Sequence, residues 1–389
     1  MNCDDAWRHS KVIKPVGLSN STGFYRSIYG EHDSRVDDMM KLLAKDCVQD
    51  GKDYYFIALE LNLLFKLNIE NGKIEIVGSI PESEVVKKEF MGALCIWKGE
   101  LYIAPYEAQS IWIYNINMKT WIEIPRKKLE HIDNGGMLQA FVYGDMVYMV
   151  GASYPAIIVI NPENKKIEYI EAPFYEKGNV RNLTDVYFRA QHVVNNGYLY
   201  IPSCMDNTIL KINMQTYEFE WIKVGNKENR FSGITYDGKH FWLSPRFNTC
   251  VVEWNEDIYI EESKLPQCYS REEYYFMGII QMNGRITACN MINTDSLDIV
   301  LETKKMERRE CQFVLAKEKE NIVMCQDFEG KFTVYENGKV IYMGVLEMDR
   351  ASIEKYYEDI GLSLFQPNDF YQEGNIFSIC GYLDYITKC

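Results

Sequence analysis

Short apolar runs of four to seven residues, broken by polar turns, organise this chain. The runs mix aliphatic and aromatic residues, and many alternate. In Ser110 to Ile116, Ile111, Ile113 and Asn115 fall on one face, and Trp112, Tyr114 and Ile116 on the other. Apolar side chains on both faces mark a strand whose sheet is covered on each side. One feature recurs: a polar-Gly turn followed at once by an aromatic-rich run. Asp50-Gly51 precedes Tyr54 to Ile57, Lys98-Gly99 precedes Leu101 to Ile103, and Tyr143-Gly144 precedes Val147 to Met149. Asn196-Gly197, Asp237-Gly238 and Asn283-Gly284 repeat it before Leu199, Phe241 and Ile286. Successive glycines are 48, 45, 53, 41 and 46 residues apart. Several strands per unit at that period predict a β-propeller of four-stranded blades.

Residues 93–125 give the template: strand a from Ala93 to Trp97, strand b from Leu101 to Pro105, strand c from Ser110 to Ile116, and strand d from Trp121 to Pro125. Residues 193–224 repeat it. An Ile-Asn-Met-x-Thr sequence stands at the c–d turn in both, at Ile116 to Thr120 and Ile212 to Thr216, where the Asn side chain is expected to cap turn amides. The sixth unit lacks a clear strand d. Asp349 to Phe365 reads as a helix through Ile353, Tyr356, Tyr357 and Ile360, and Asp37 to Lys45 as a further short helix. A final hairpin is expected at Glu373-Gly374 and the apolar runs Ile376 to Cys380 and Tyr382 to Ile386. If that hairpin completes the first blade, the count is seven; eight and six are the alternatives. The domain reading is therefore an irregular segment 1–46 that packs on or closes the propeller, and a propeller over 47–389.

The units resemble bacterial propellers of the kelch-like group. Asp237 to Arg246 (DGKHFWLSPR) and its echo Lys98 to Tyr106 (KGELYIAPY) carry the resemblance, over about residues 47–345. It implies fold and no activity. Kelch repeats carry a Gly-Gly pair in each blade, whereas here Gly135-Gly136 stands alone and reads as a turn.

Composition agrees with an all-β chain: 47% hydrophobic and 14% aromatic, with 28 tyrosines in 389 residues. A formal charge of −14 argues against a nucleic-acid partner, which needs clustered cations. Arg126-Lys127-Lys128 and Arg308-Arg309 read as solvated surface. Eleven cysteines form no C-x-x-C pair and lack histidines at zinc-ligand spacing, so buried thiols are expected. There is no signal-like N-terminus and no membrane-length apolar run, and a cytoplasmic location is the expectation. The sequence identifies no cofactor and no metal site.

Loops that are not needed for blade packing are where a propeller carries function. Here the b–c loops and d–a connections supply Tyr106, Glu107, Tyr154, Tyr187, Arg189, Arg230, Arg246 and Asn248, with Gln139 at the start of a strand a. Arginines gathered on an acidic chain suit a carboxylate or phosphate. The leading expectation is a module binding a small anionic ligand, a peptide or a protein at the channel mouth. The alternatives are a lyase or hydrolase with His192 as general acid or base and a structural scaffold. His240, in the Asp237 to His240 turn, reads as surface, and the pairs Glu261-Glu262 and Glu272-Glu273 as loop residues.

Overall fold

A computed structural model describes residues 39–58, 61–81, 90–128, 135–177, 186–246, 250–256, 276–290 and 295–360, and the backbone alone of 259–264. Seven four-stranded antiparallel sheets follow one another along the chain, each paired in the order a-b-c-d. They form a seven-bladed propeller, as the repeat predicts. Blade one is Ala44–Asp50, Asp53–Ala58, Leu64–Asn68 and Lys73–Gly78, and blade two Met91–Trp97, Glu100–Pro105, Ser110–Asn115 and Thr120–Pro125. Blade three is Met137–Tyr143, Met146–Gly151, Ile157–Ile160 and Ile167–Ile170. Blade four is Val193–Asn195, Tyr198–Pro202, Thr208–Asn213 and Phe219–Lys223, and blade five Phe231–Tyr236, Phe241–Pro245, Cys250–Trp254 and Tyr259–Lys264. Blade six is Phe276–Met282, Arg285–Asn290, Asp295–Val300 and Met306–Glu310, and blade seven Leu315–Lys319, Ile322–Gln326, Lys331–Glu336 and Lys339–Val345.

The alternation read in strand c of blade two decides which core each residue joins. Ile111 and Ile113 enter the cluster shared with blade three, and Trp112, Tyr114 and Ile116 the cluster shared with blade one. The a–b turns at Lys98-Gly99, Asn196-Gly197 and Asn283-Gly284 hold two successive residues at positive φ, the geometry of tight hairpins that favours Asn and Gly.

Several expectations are corrected. The capping asparagine of the c–d turns is two residues earlier in blade two than the Ile-Asn-Met-x-Thr match places it. Asn115 Oδ1 accepts from the Met118 N–H at 2.9 Å, as Asn213 does from Gln215 at 2.8 Å. Asn68 and Asn161 do the same in blades one and three. Blade six does possess a strand d, the charged MERRE run, in which Arg308 pairs with Asp295 and Arg309 with Asp298 on strand c. Side chains that pair laterally leave no apolar signal. Glu261-Glu262 belongs to strand d of blade five rather than a loop, and Glu272-Glu273 lies outside the described residues.

Closure also differs from expectation. Among the described residues, blade one draws all four of its strands from Ala44–Gly78. Instead Met39–Lys41, expected to be helical, pairs antiparallel with Glu347–Asp349, and helix α2 (Arg350–Asp359) follows; a short helix α1 (Ala172–Lys177) lies earlier in the chain. Leu42 and Leu43, which follow the paired strand, are buried at the closure. Ile353 and Tyr357 of α2 sink into the core shared by blades one and seven, and the Tyr357 hydroxyl donates to the Leu61 carbonyl. The expected final hairpin and most of the 1–46 segment lie outside the described residues. Cys47, Cys95, Cys204, Cys250, Cys289, Cys311 and Cys325 are free thiols, all buried except the half-buried Cys311. No helix among the described residues is long and apolar enough to cross a membrane.

Candidate functional site: the inner rim and the loop face

Strand a is the inner edge of every blade, so its outward backbone groups face the channel and need partners. In five blades this strand carries a bulge near its start, at Ala44/Asp46, Met91/Ala93, Met137/Gln139, Phe231/Gly233 and Phe276/Gly278. The irregularity aims side chains at neighbouring edges. Asp46 Oδ2 accepts the Leu94 N–H at 2.6 Å, and its Oδ1 takes the Lys317 ammonium at 2.6 Å. Glu318 accepts from the Gln281 N–H at 3.0 Å and the Thr235 hydroxyl at 2.9 Å, and burial pushes its carboxyl above the usual range. Gln326 bonds Ala44 N–H and Leu42 carbonyl, tying blade seven to blade one.

Gln191, like Glu318, bridges past a neighbouring blade. From the entry to blade four it reaches blade six, accepting from the Ile279 N–H at 2.8 Å and donating to the Ile279 carbonyl at 3.0 Å. It crosses Gly233 of blade five. A Cβ on Gly233 would stand 2.1 Å from the Gln191 Oε1 and 2.8 Å from the Gly278 Cα. Only glycine admits that crossing.

The loop face is stitched in a similar way. The N–H that follows strand b bonds the carbonyl that precedes strand a in the same blade: Tyr106 to Phe90, Ala152 to Gly136, and Arg246 to Arg230, at 2.8 to 2.9 Å. The next blade adds a link, Tyr187 N–H to Ala152 carbonyl at 2.7 Å. Gly135-Gly136 is not the turn the sequence suggests. It enters strand a of blade three, where a Cβ on Gly136 would lie 2.5 Å from the Tyr106 ring and one on Gly135 2.5 Å from the Tyr154 Cα.

This framework locates each candidate. Gln139, Tyr154, Tyr187 and Arg246 are buried. Gln139 donates to the Arg189 and Gln191 carbonyls, while its Oε1 has no partner. The Tyr154 hydroxyl donates to the Lys127 carbonyl at 2.8 Å, and Tyr187 packs edge-on against Phe174 of α1. Arg246 donates to the Cys204 carbonyl at 3.1 Å. Tyr106, Glu107, Arg189 and Arg230 are partly exposed, and Arg230 donates to the Asn229 carbonyl at 2.7 Å. Asn248 lies outside the described residues.

His192 stacks on Phe141 with ring centroids 3.9 Å apart. Its Nδ1 is enclosed without a hydrogen-bond partner, and burial, with a smaller contribution from the Lys317 charge, pushes its pKa down to about 3. The ring is therefore neutral at physiological pH. His240 is not a surface residue: its Nδ1 stands 2.8 Å from the buried Glu253 carboxylate.

Two cations were not singled out in the sequence. Lys45, the bulge residue of blade one, lies over the Tyr106 ring at 4.1 Å. Arg126, expected to be solvated, is buried over Tyr154 at 5.1 Å and donates to the Gly135 carbonyl. Lys127 and Lys128 beside it are exposed, and with Gln109, Ser110, Pro125 and Tyr154 this run lines a cleft of about 120 Å³ between blades two and three. No local signal in the sequence marked this run, because Tyr154 comes from the b–c loop of the next blade. No group of His, Cys, Asp or Glu among the described residues is placed to hold a metal ion.

No protein-family model matches the chain, and no curated protein matches it. Solved structures do match in fold. Virginiamycin B lyase from Staphylococcus aureus superposes with a TM-score of 0.58 at 12% identity, over 76% of this chain and 96% of that one. YCF48 from Cyanidioschyzon merolae gives 0.55 at 10% identity, over 78% and 96%. BamB from Moraxella catarrhalis gives 0.51 at 10%, over 80% and 90%. At such identities the likeness is one of architecture, and it spans lyases and other propellers alike.

Proposed function

We propose that this protein is a binding module whose loop face, at the mouth of the channel, receives an anionic small molecule or an acidic peptide or protein segment. One observation carries the reading. On a chain of net charge −14, Lys45, Arg126, Lys127, Lys128, Arg189, Arg230 and Arg246 all fall on the b–c side of blades one to five. Strand direction alone places them there. The half-exposed Tyr106, Arg189 and Arg230 are the proposed contacts, and the buried Tyr154, Tyr187, Gln139 and Arg246 hold the loops that present them. Guanidinium groups recognise carboxylates and phosphates with paired, charge-assisted bonds.

The inner rim supports binding over catalysis. Asp46 and Glu318 are engaged with backbone and side-chain donors, and His192 is neutral against Phe141. A general acid–base pair needs groups within reach of a substrate proton. The second reading, a lyase or hydrolase working through His192, is favoured by the unpartnered Nδ1 and by the lyases among the similar folds. The test is a thermal-shift screen of anionic metabolites and acidic peptides. At a ligand concentration 100 times Kd, native-state binding adds about 2.7 kcal/mol of stability. A compound that raises Tm in the wild type but not in Arg230→Ala or Arg189→Ala supports the reading. A shift that survives both substitutions excludes the arginine face as the site.

A further inference from the structure

Nine large hydrophobic side chains are exposed among the described residues, and four of them sit on one strand. Val340, Ile341, Met343 and Val345, in strand d of blade seven, are 49, 40, 52 and 43% exposed. Strand d is the outer edge of a blade, a row of backbone donors and acceptors open to another chain, and natural edges are usually blunted with charge. The outer strands of blades one to four and six obey that rule with Glu75, Glu123, Glu168, Glu220 and Glu307. Strand d of blade seven reads KVIYMGV, with Lys339 its single charge.

The edge is also self-complementary. Beyond Leu346 it continues into Glu347–Asp349, whose pairing with Met39–Lys41 begins on the inward side. The Leu346 N–H bonds the Gly330 carbonyl, and its own carbonyl, on the same side, accepts from Leu42. Glu347 is exposed, as Lys339 is, and the two are equidistant in sequence from Met343. A two-fold axis at Met343 sets Lys339 of each copy beside Glu347 of the other, Ile341 opposite Val345, and Met343 opposite itself. A register shift between Val334 and Tyr335 leaves Ile341 as an extra residue on this strand, so the two-fold pairing runs from Ile341 to Val345 and the Lys339 and Glu347 side chains meet just beyond it. The exposed positions are then apolar against apolar or cation against anion.

We infer that the outer edge of blade seven is the seat of a second copy of this chain, joined antiparallel edge to edge in an isologous dimer. The contact lies on the rim, away from the channel mouth, so it stands independently of the proposed ligand site and leaves both loop faces open.

Sedimentation equilibrium of the full chain, over a wide concentration range, tests this. The wild type is expected at twice the 45.5 kDa chain mass. Met343→Lys sets two like charges against each other at the axis and is expected to weaken the dimer by at least about tenfold, with Tm unchanged at concentrations low enough for both proteins to be monomeric. Lys339→Glu is expected to weaken it as well, and the double swap Lys339→Glu/Glu347→Lys to restore it, which decides the matter if Met343→Lys does not fold. A wild type that stays monomeric throughout would overturn the inference and reassign the edge to a foreign strand or to this chain's own termini. A dimer indifferent to Met343→Lys and to Lys339→Glu would overturn it too.

Discussion

Gln191 shows how one side chain can hold a ring of sheets. Its amide replaces the strand partner that Ile279 lacks at the channel edge. Gln191→Ala leaves an N–H and a carbonyl unpaired in a confined space, and a loss of roughly 1–3 kcal/mol is expected, read as a lower urea midpoint at constant m. Gly92→Ala should cost at least as much, about 1–3 kcal/mol of overpacking, because its Cβ would lie 1.8 Å from the Met137 carbonyl oxygen, which is backbone and cannot step aside. His192 gives a pH signature. Its folded pKa is about 3, below the ordinary 6.5, so the folded state disfavours the proton. The contribution is fully present above pH 6.5 and is lost as pH falls from there toward 3, by at most about 1.4 kcal/mol per pH unit. His192→Phe should flatten that part of the stability profile, and an unchanged slope would contradict the assignment. None of these roles was legible in the sequence. Gln191 was visible only as the neighbour of a histidine, because its partner lies 88 residues away and a hydrogen bond across a ring leaves no local pattern. Gly135-Gly136 was misread for the same reason: the crowding comes from Tyr106 and Tyr154, not from a turn.

At the level of elements, the blades were largely legible because hairpins are local. The a–b turns, the two-sided alternation of strand c in blade two and helix α2 all follow from residues within a few positions of one another. Asn68, Asn115, Asn161 and Asn213 cap equivalent c–d turns, a repeat that the Ile-Asn-Met-x-Thr match obscured by two residues in blade two. Strand d of blade six was missed because ion pairs with strand c stand where apolar contacts would give a signal. Closure was misjudged because it depends on a pairing between residues about 300 apart, Met39–Lys41 with Glu347–Asp349. The clasp and α2 together seal the joint between blades one and seven. Ile353→Ala removes a buried side chain from that joint, and a loss of about 2–5 kcal/mol is expected in equilibrium unfolding, with early exposure of blades one and seven in hydrogen exchange. Uniform exchange across all seven blades would show that the clasp is no weaker than the rest.

At the scale of the whole molecule, the described residues form a ring of seven blades tied at the inner rim by Asp46, Gln191, Glu318 and Gln326, with Lys45, Arg126 to Lys128, Arg189, Arg230 and Arg246 on its b–c side. The ring was evident from the repeat, whereas the face was only partly so: the sequence singled out Arg189, Arg230 and Arg246 but set aside Arg126 to Lys128 and passed over Lys45. That assignment rested on composition near the run, and burial of Arg126 against Tyr154 arises from the neighbouring blade. An acidic chain with a cationic mouth should bind anions more weakly as salt rises, since exposed charges are screened within about 8 Å at physiological ionic strength. The central claim is that this mouth binds and does not transform. It is tested most directly by calorimetric titration of the best thermal-shift compound into wild type, Arg230→Ala and His192→Gln, with the compound analysed afterwards by mass spectrometry. Saturable binding is expected, with an affinity about tenfold lower in Arg230→Ala, little change in His192→Gln, and a compound recovered intact. A compound recovered altered by the wild type and intact from His192→Gln would contradict it and establish a propeller enzyme.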